Sequence, residues 1–203
     1  MSVTPIELTG GAVAISGRPI LRGIDLRVES GEFVALLGAN GSGKSTLVRA
    51  LTGLHPLAVG SLKLFGEPFD HFHAWHRIGF VPQRAGATSG VPASVWEVVA
   101  SGRLTRRKLL RPLSRADRVA IDDALAVVGL SERRSDGVAQ LSGGQQQRVL
   151  IARALAGKPE LIFLDVQMPG GSGFDLVADV PESCRIVFVT AYSEHALRAF
   201  DVN

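Results

Sequence analysis

Gly38-Ala39-Asn40-Gly41-Ser42-Gly43-Lys44-Ser45-Thr46 fills every fixed position of G-x-x-x-x-G-K-[ST], the pattern of a loop that wraps phosphates with backbone N–H groups. The flanks agree with it. Phe33 to Leu37 is an apolar run of buried-strand length, and Leu47-Val48-Arg49-Ala50-Leu51 can open a helix. Gly38, Gly41 and Gly43 let the backbone curl so that N–H groups point inward at a helix N-terminus, where partial positive charge favours phosphate oxygens. Lys44 then reaches the β- and γ-phosphates and the Ser45 hydroxyl completes a Mg²⁺ shell. Asn40, Ser42 and Thr46 complete the candidate ATP contacts of the loop. An ordinary glycine-rich turn before a helix would leave Lys-Ser-Thr, in register behind a strand, without a reason.

The 203 residues suffice for one large domain or two small ones with a substantial core. Cys184 is the only cysteine, which rules out an intrachain disulfide and fits a reducing compartment. No apolar run approaches the roughly 18 residues of a membrane span, and Met1 to Gly10 lacks the layout of a signal peptide. The expected location is the cytoplasm, peripheral at the inner face of the cell membrane where a partner holds it there. The net charge of +3 conceals a break: residues 161–203 carry 2 Lys/Arg against 6 Asp/Glu, the preceding 160 carry 20 against 13. Arg103, Arg106, Arg107, Lys108, Arg111, Arg115 and Arg118 face only Asp117. Without interleaved aromatics this cluster reads as a solvated helix face or a contact near acidic lipid headgroups, and nucleic acid is not an expected partner.

Ile6-Glu7-Leu8, Ala12 to Ile15 and Leu21 to Val28 read as short strands, an antiparallel layer ahead of the phosphate-loop strand. Gly60 to Gly66 brackets another strand, and Ile78 to Val81 a further one leading into Pro82-Gln83. Between residues 94 and 157 the apolar spacing turns helical, with a capping-box pattern at Ser114 to Asp117 and a strong helix expected over Gln146 to Ala156. Leu161 to Asp165 is a buried strand ending in a carboxylate. His71, His73 and His76 lie close in sequence, with His55 and His195 elsewhere, but lack the Cys and orienting partners of a tight metal site.

A phosphate loop, a glutamine after an apolar strand, Leu141-Ser142-Gly143-Gly144-Gln145 and an apolar strand ending in Asp165 together resemble the nucleotide-binding subunit of ABC transporters over residues 1–165. Val81-Pro82-Gln83-Arg84 and Pro92-Ala93-Ser94-Val95 are similar to the zinc and manganese importers of that family. The resemblance implies an α/β P-loop fold with an antiparallel β-layer and a helical subdomain over about residues 88–157, together forming a nucleotide-binding domain over 1–160. It implies MgATP as ligand, with Gln83 near Mg²⁺ and the attacking water, and Asp165 joining Ser45 and Gln83 in holding Mg²⁺. It also implies that Ser142, Gly143, Gly144 and Gln145 meet the nucleotide of a second copy in a head-to-tail homodimer, docked on a transmembrane permease. A plain capping turn at Ser142 is the competing reading.

The family pattern then breaks. Val166 stands where a catalytic glutamate is expected, Ser172 where a loop aspartate is expected, Ala191 at the switch-histidine position and Ile15 where an aromatic would stack on adenine. Leu161 to Gly170, Gly173-Phe174-Asp175-Leu176, Ile186 to Tyr192 and Ala196 to Phe200 instead resemble a response-regulator receiver of the type paired with a LytTR DNA-binding domain. That resemblance implies a flavodoxin-like βαβ fragment over 161–203, truncated before the family's remaining elements, with Asp165 as phosphoacceptor and Thr190 as the hydroxyl that senses it. Both families continue from this strand into a helix and a parallel strand, so one unit can replace the other without changing topology.

Three readings follow. The first is an ATP-binding subunit of a metal-ion importer, with hydrolysis weak or absent because valine cannot orient or deprotonate water. The second is a chimeric folded scaffold without nucleotide chemistry, which binding of MgATP would exclude. The third is a phosphoacceptor module, for which residues 161–203 lack the acidic cluster and the lysine that a receiver needs.

Overall fold

The computed structural model describes residues 3–29, 32, 34–82, 92–106, 112–165 and 184–190, for Asp165 and Thr190 the backbone only. Two four-stranded sheets organise them. One is antiparallel, in the order β2-β1-β4-β5, built from β1 (Ile6–Ile15), β2 (Arg18–Val28), β4 (Val59–Leu64) and β5 (Glu67–Pro68). The other is parallel, in the order β3-β8-β7-β6, built from β3 (Val34–Leu37), β6 (Ile78–Val81), β7 (Leu161–Asp165) and β8 (Arg185–Thr190). Four helices accompany them: α1 (Lys44–Leu51), α2 (Val95–Ser101), α3 (Arg115–Val127) and α4 (Gly143–Ala156).

Strict alternation along the parallel strands divides the core in two. Leu161, Phe163, Val187 and Val189 face one side, where they meet Leu47, Val48 and Leu51 of α1 and Ile6, Leu8 and Val28 of the antiparallel layer. Ile162, Leu164, Ile186 and Phe188 face the other, against Val99, Ile121, Leu125, Val149 and Leu150 of the three remaining helices. Strands covered on both faces are apolar at every position. For that reason the runs at 161–164 and 186–189 read as buried strands from sequence.

Three corrections come with the coordinates. Ile6 to Leu8 and Ala12 to Ile15 are one strand, not two: the register of β1 shifts between Leu8 and Gly11, where Gly10 takes φ 58°, so a bulge bends the strand without ending it. Ser16 and Gly17, at φ 49° and 76°, close the hairpin into β2. The helix expected from Gln146 starts at Gly143, because Ser142 caps it. The arginine cluster, finally, is not a uniformly solvated face. Arg103 is buried against Asp117, and Arg106 donates to the Gly157 carbonyl oxygen at 2.6 Å and to that of Lys158 at 3.0 Å. Within the cluster, Arg107, Lys108 and Arg111 lie outside the described residues.

Candidate nucleotide site

Every strand of the parallel sheet runs in the same direction, so their C-terminal ends share one edge, the place where open α/β sheets bind ligands. The loop Gly38 to Gly43 leaves β3 at that edge. Leu36, Val189 and Asp165 are in register across it, which puts the backbone of Asp165 two strand spacings, about 10 Å, from the phosphate-loop strand. Val81 pairs with Leu164, so β6 ends at the same edge. Gln83 itself is outside the described residues, as are Val166, Ser172 and Ala191. Thr190 ends β8, opposite Leu37.

The loop's shape follows from its glycines. Gly43 sits at φ 93° as the N-cap of α1, and a Cβ there would come within 2.6 Å of Leu21 Cδ2. No side chain caps this helix. The start of a helix carries partial positive charge, which favours an anion placed against it. The Lys44 ammonium folds back over the loop, donating to the carbonyl oxygens of Gly38 at 2.6 Å and Ala39 at 3.0 Å and to Ser42 Oγ at 3.4 Å. A cation held inside a curl of backbone, beside an uncapped helix start, fits a polyphosphate. The Ser45 hydroxyl is a hard oxygen donor of the kind Mg²⁺ takes.

Ser142, Gly143, Gly144 and Gln145 form a second helix start. Ser142 Oγ accepts from the Gln145 N–H at 3.3 Å, and the Ser142 N–H donates to Gln145 Oε1 at 3.0 Å. The capping turn and the Ser142-Gly143-Gly144-Gln145 motif are thus one structure. Gly143 and Gly144 are exposed, and a Cβ added at either meets nothing within 4 Å. Among the described residues nothing requires glycine there. Moreover, α1 and α4 lie on opposite faces of the parallel sheet, and α4 packs beside β6 at the edge away from β3. One chain does not fold its two helix starts onto a single phosphate.

Sequence reasoning missed the capping box at α2, where Ser94 Oγ accepts from the Glu97 N–H and the Glu97 carboxylate accepts from the Ser94 N–H at 2.7 Å. The S-x-x-E spacing was there to find. It also missed the partner of Arg103: with the Ser114 hydroxyl and N–H, the guanidinium holds the Asp117 carboxyl down at about 2. Burial pushes the Cys184 thiol up to about 12, so it is not a nucleophile at neutral pH. Among the described residues no three His, Cys, Asp or Glu converge on a metal-sized site. Nor, among them, is any helix long and apolar enough to cross a membrane.

A family model described as ABC transporter matches residues 21–166. The zinc uptake system ATP-binding protein ZurA of Listeria innocua is 47% identical over 146 residues, 71% of this chain and 57% of that protein. The manganese transport system ATP-binding protein MntB of Bacillus subtilis is 37% identical over 191 residues, 91% of this chain and 76% of that protein. Among solved structures, cbiO1 of Clostridium perfringens, part of the ABC transporter complex cbiONQ, superposes with a TM-score of 0.78 at 25% identity, covering 94% of this chain and 79% of that one. The chain spans a little over half the length of the zinc-uptake relative.

Proposed function

Because this chain belongs to the ABC transporter family, we propose that it is the ATP-binding subunit of a metal-ion importer, docking on a transmembrane permease at the inner face of the cell membrane. The observation that carries this reading is the uncapped start of α1 with the Lys44 ammonium folded into the loop before it. Zinc and manganese as cargo rest on the names of the relatives, ZurA and MntB.

In this reading the N–H groups of Gly41 to Ser45 and the Lys44 ammonium bind the phosphates, and the Ser45 hydroxyl, Gln83 and Asp165 hold Mg²⁺. When bound, Mg²⁺ neutralises charge that develops on the phosphoryl oxygens. Ser142, Gly143 and Gly144 of a second copy close the site in a head-to-tail homodimer, which explains why the two helix starts lie on opposite faces of the sheet. Val166 has no group that can orient or deprotonate a water, and Ala191 removes the switch histidine. Turnover is therefore weak or absent while binding persists.

The test is thermal unfolding of the chain with and without MgATP, beside Lys44→Ala. Ligand at about 100 times its dissociation constant adds about 2.7 kcal/mol, roughly 5–10 °C for a domain of this size. A shift that depends on Lys44 supports the reading. A cooperative transition that MgATP leaves in place sinks it in favour of a folded scaffold without nucleotide chemistry.

A second reading concerns the tail alone. The family model's match stops at residue 166, one position past Asp165, and on that boundary rests the reading of a receiver-derived βαβ unit over 161–203 grafted at β7; against it, the alignment with MntB covers 91% of this chain and so runs past the boundary. The parallel pairing of β7 with β8 suits either origin. Incubation with acetyl phosphate and Mg²⁺ tests whether Asp165 retains receiver chemistry. A stable mass increase lost in Asp165→Asn would establish it, and an unmodified chain would leave only inherited shape.

A further inference from the structure

The strongest cluster of buried charge outside the phosphate edge lies at the far end of α4. Arg103 Nε donates to Asp117 Oδ1 at 2.8 Å, and its Nη1 donates to the Ala156 carbonyl oxygen at 2.9 Å. Both side chains of the pair are about nine-tenths buried. Arg106 takes the next two carbonyls, those of Gly157 and Lys158. A helix leaves its last carbonyls without intrahelical partners; here two arginines from the segment after α2 satisfy them, in the position where a cation also complements the helix dipole. Asp117 belongs to the first turn of α3, where it closes the capping box with Ser114. The backbones meet at the same point. A Cβ on Gly102 would collide with the Arg153 carbonyl, and one on Gly157 would approach the Gly102 carbonyl oxygen at 3.3 Å. The C-terminus of α2, the N-terminus of α3 and the C-terminus of α4 therefore share one knot.

The other end of α2 is tied as well. The Val95 N–H donates to the Asp136 carbonyl, that of Trp96 to Arg134, and that of Val138 to Ala93. These bonds fix the strand of chain that runs into Leu141 and Ser142. Helix α4 is thus referenced to α2 at both ends, by backbone bonds near its start and by Arg103 at its finish.

We propose that Arg103 is a positioning residue for the phosphate contact of Ser142, Gly143 and Gly144, an inference that rests on the head-to-tail reading above. It acts through α4 and touches no nucleotide. A 14-residue helix is about 21 Å long, so a tilt of about 5° about its C-terminal end moves the Ser142 turn by about 2 Å. Misplacement by about 1 Å at a reacting contact costs on the order of 10²-fold. The knot sets that angle.

The test uses the whole chain with Arg103→Ala and Arg103→Lys, the second keeping the charge while losing the planar fork that serves Asp117 and Ala156 together. Three readouts are taken: affinity for a fluorescent ATP analogue, MgATP-driven dimerisation by sedimentation, and amide exchange along α4. Both variants should bind nucleotide within about threefold of the unaltered chain, because α1, the helix that follows the phosphate loop, packs on the opposite face of the sheet from α4. Dimerisation should weaken by roughly tenfold or more, and exchange should rise at Ser142 to Gln146 as well as at Ala156 to Lys158. Faster exchange confined to Ala156 to Lys158, with dimerisation unchanged, overturns the proposal and leaves a local helix cap. If Arg103→Ala unfolds, Arg103→Lys decides by the same comparison. An unaltered chain that binds MgATP but stays monomeric overturns the head-to-tail reading and the positioning role with it; unimpaired dimers of the variants overturn only the latter.

Discussion

Gly143→Ala and Gly144→Ala should do opposite things to the free chain and to its ATP-bound assembly. Both glycines lie in the first turn of α4, neither has a positive φ, and a methyl group at either meets nothing within 4 Å. Alanine is preferred over glycine in a helix by about 0.8–1.0 kcal/mol in the interior, and by less in the first turn. The pair of substitutions should therefore stabilise the free chain by about 1 kcal/mol, raising its unfolding midpoint by roughly 2–4 °C. If Gly143 and Gly144 bring their backbone against the γ-phosphate of a second copy, the same methyl groups occupy the space that the phosphate needs. MgATP-driven dimerisation, followed by sedimentation, should then disappear while nucleotide affinity of the single chain is kept. A double variant that dimerises normally with MgATP would refute the reasoning, because the glycines would then have no function that alanine fails to fill. A drop in the unfolding midpoint would refute the first half, by showing that the turn is strained for any residue with a side chain.

Gly43→Ala should instead be harmful without any ligand, since φ 93° and the 2.6 Å approach to Leu21 Cδ2 force the loop or β2 to move; a loss of about 1–3 kcal/mol in denaturant unfolding is expected. Val166→Glu should raise MgATP-dependent phosphate release toward the lower end of the 10²–10⁴-fold range of general-base assistance, because Ala191 still lacks an imidazole; equal rates would remove valine as the cause of weak turnover. Asp117 is ordinarily at 3.8 and is held at about 2 in the fold. Its contribution is therefore complete above about pH 4 and lost as the pH falls through about 2, a dependence that Asp117→Asn should abolish in acid unfolding curves. Arg103→Ala leaves the Asp117 carboxylate without its buried partner and should cost about 3 kcal/mol in the same denaturant titration.

The phosphate loop, the strand that ends at Asp165 and the helix after Ser142 were legible because each depends on local chemistry: fixed glycines, a run of apolar residues, a capping pattern. The extent of β1 was not. Gly10 and Gly11 read as a stop, and only pairing with both β2 and β4 keeps the chain extended through a bulge. The start of α4 was misplaced for a related reason, since two glycines argue against helix until the cap formed by Ser142 and Gln145 is taken into account. Arg103 was misjudged because its environment is set by residues 14 and 53 positions away. Counting charges along a segment cannot distinguish an arginine in water from one that closes a helix end.

The tail poses the sharper physical question. Strand β8 is interior to the parallel sheet, bonded to β3 on one side and β7 on the other. Its side chains complete both cores: Val187 and Val189 meet the α1 layer, Ile186 and Phe188 the helical layer. A substitute strand from another family can occupy such a position if it offers an apolar residue at every step and arrives parallel, and Ile186-Val187-Phe188-Val189 does both. What such a substitution would not preserve is the chemistry at the strand ends. Packing tests every side chain within the sheet, whereas the residue that follows a strand at the ligand edge is tested only by the reaction. On the grafted reading, a receiver-like unit would restore the fold around the phosphate loop and still leave Val166 and Ala191 where the family resemblance places reactive groups.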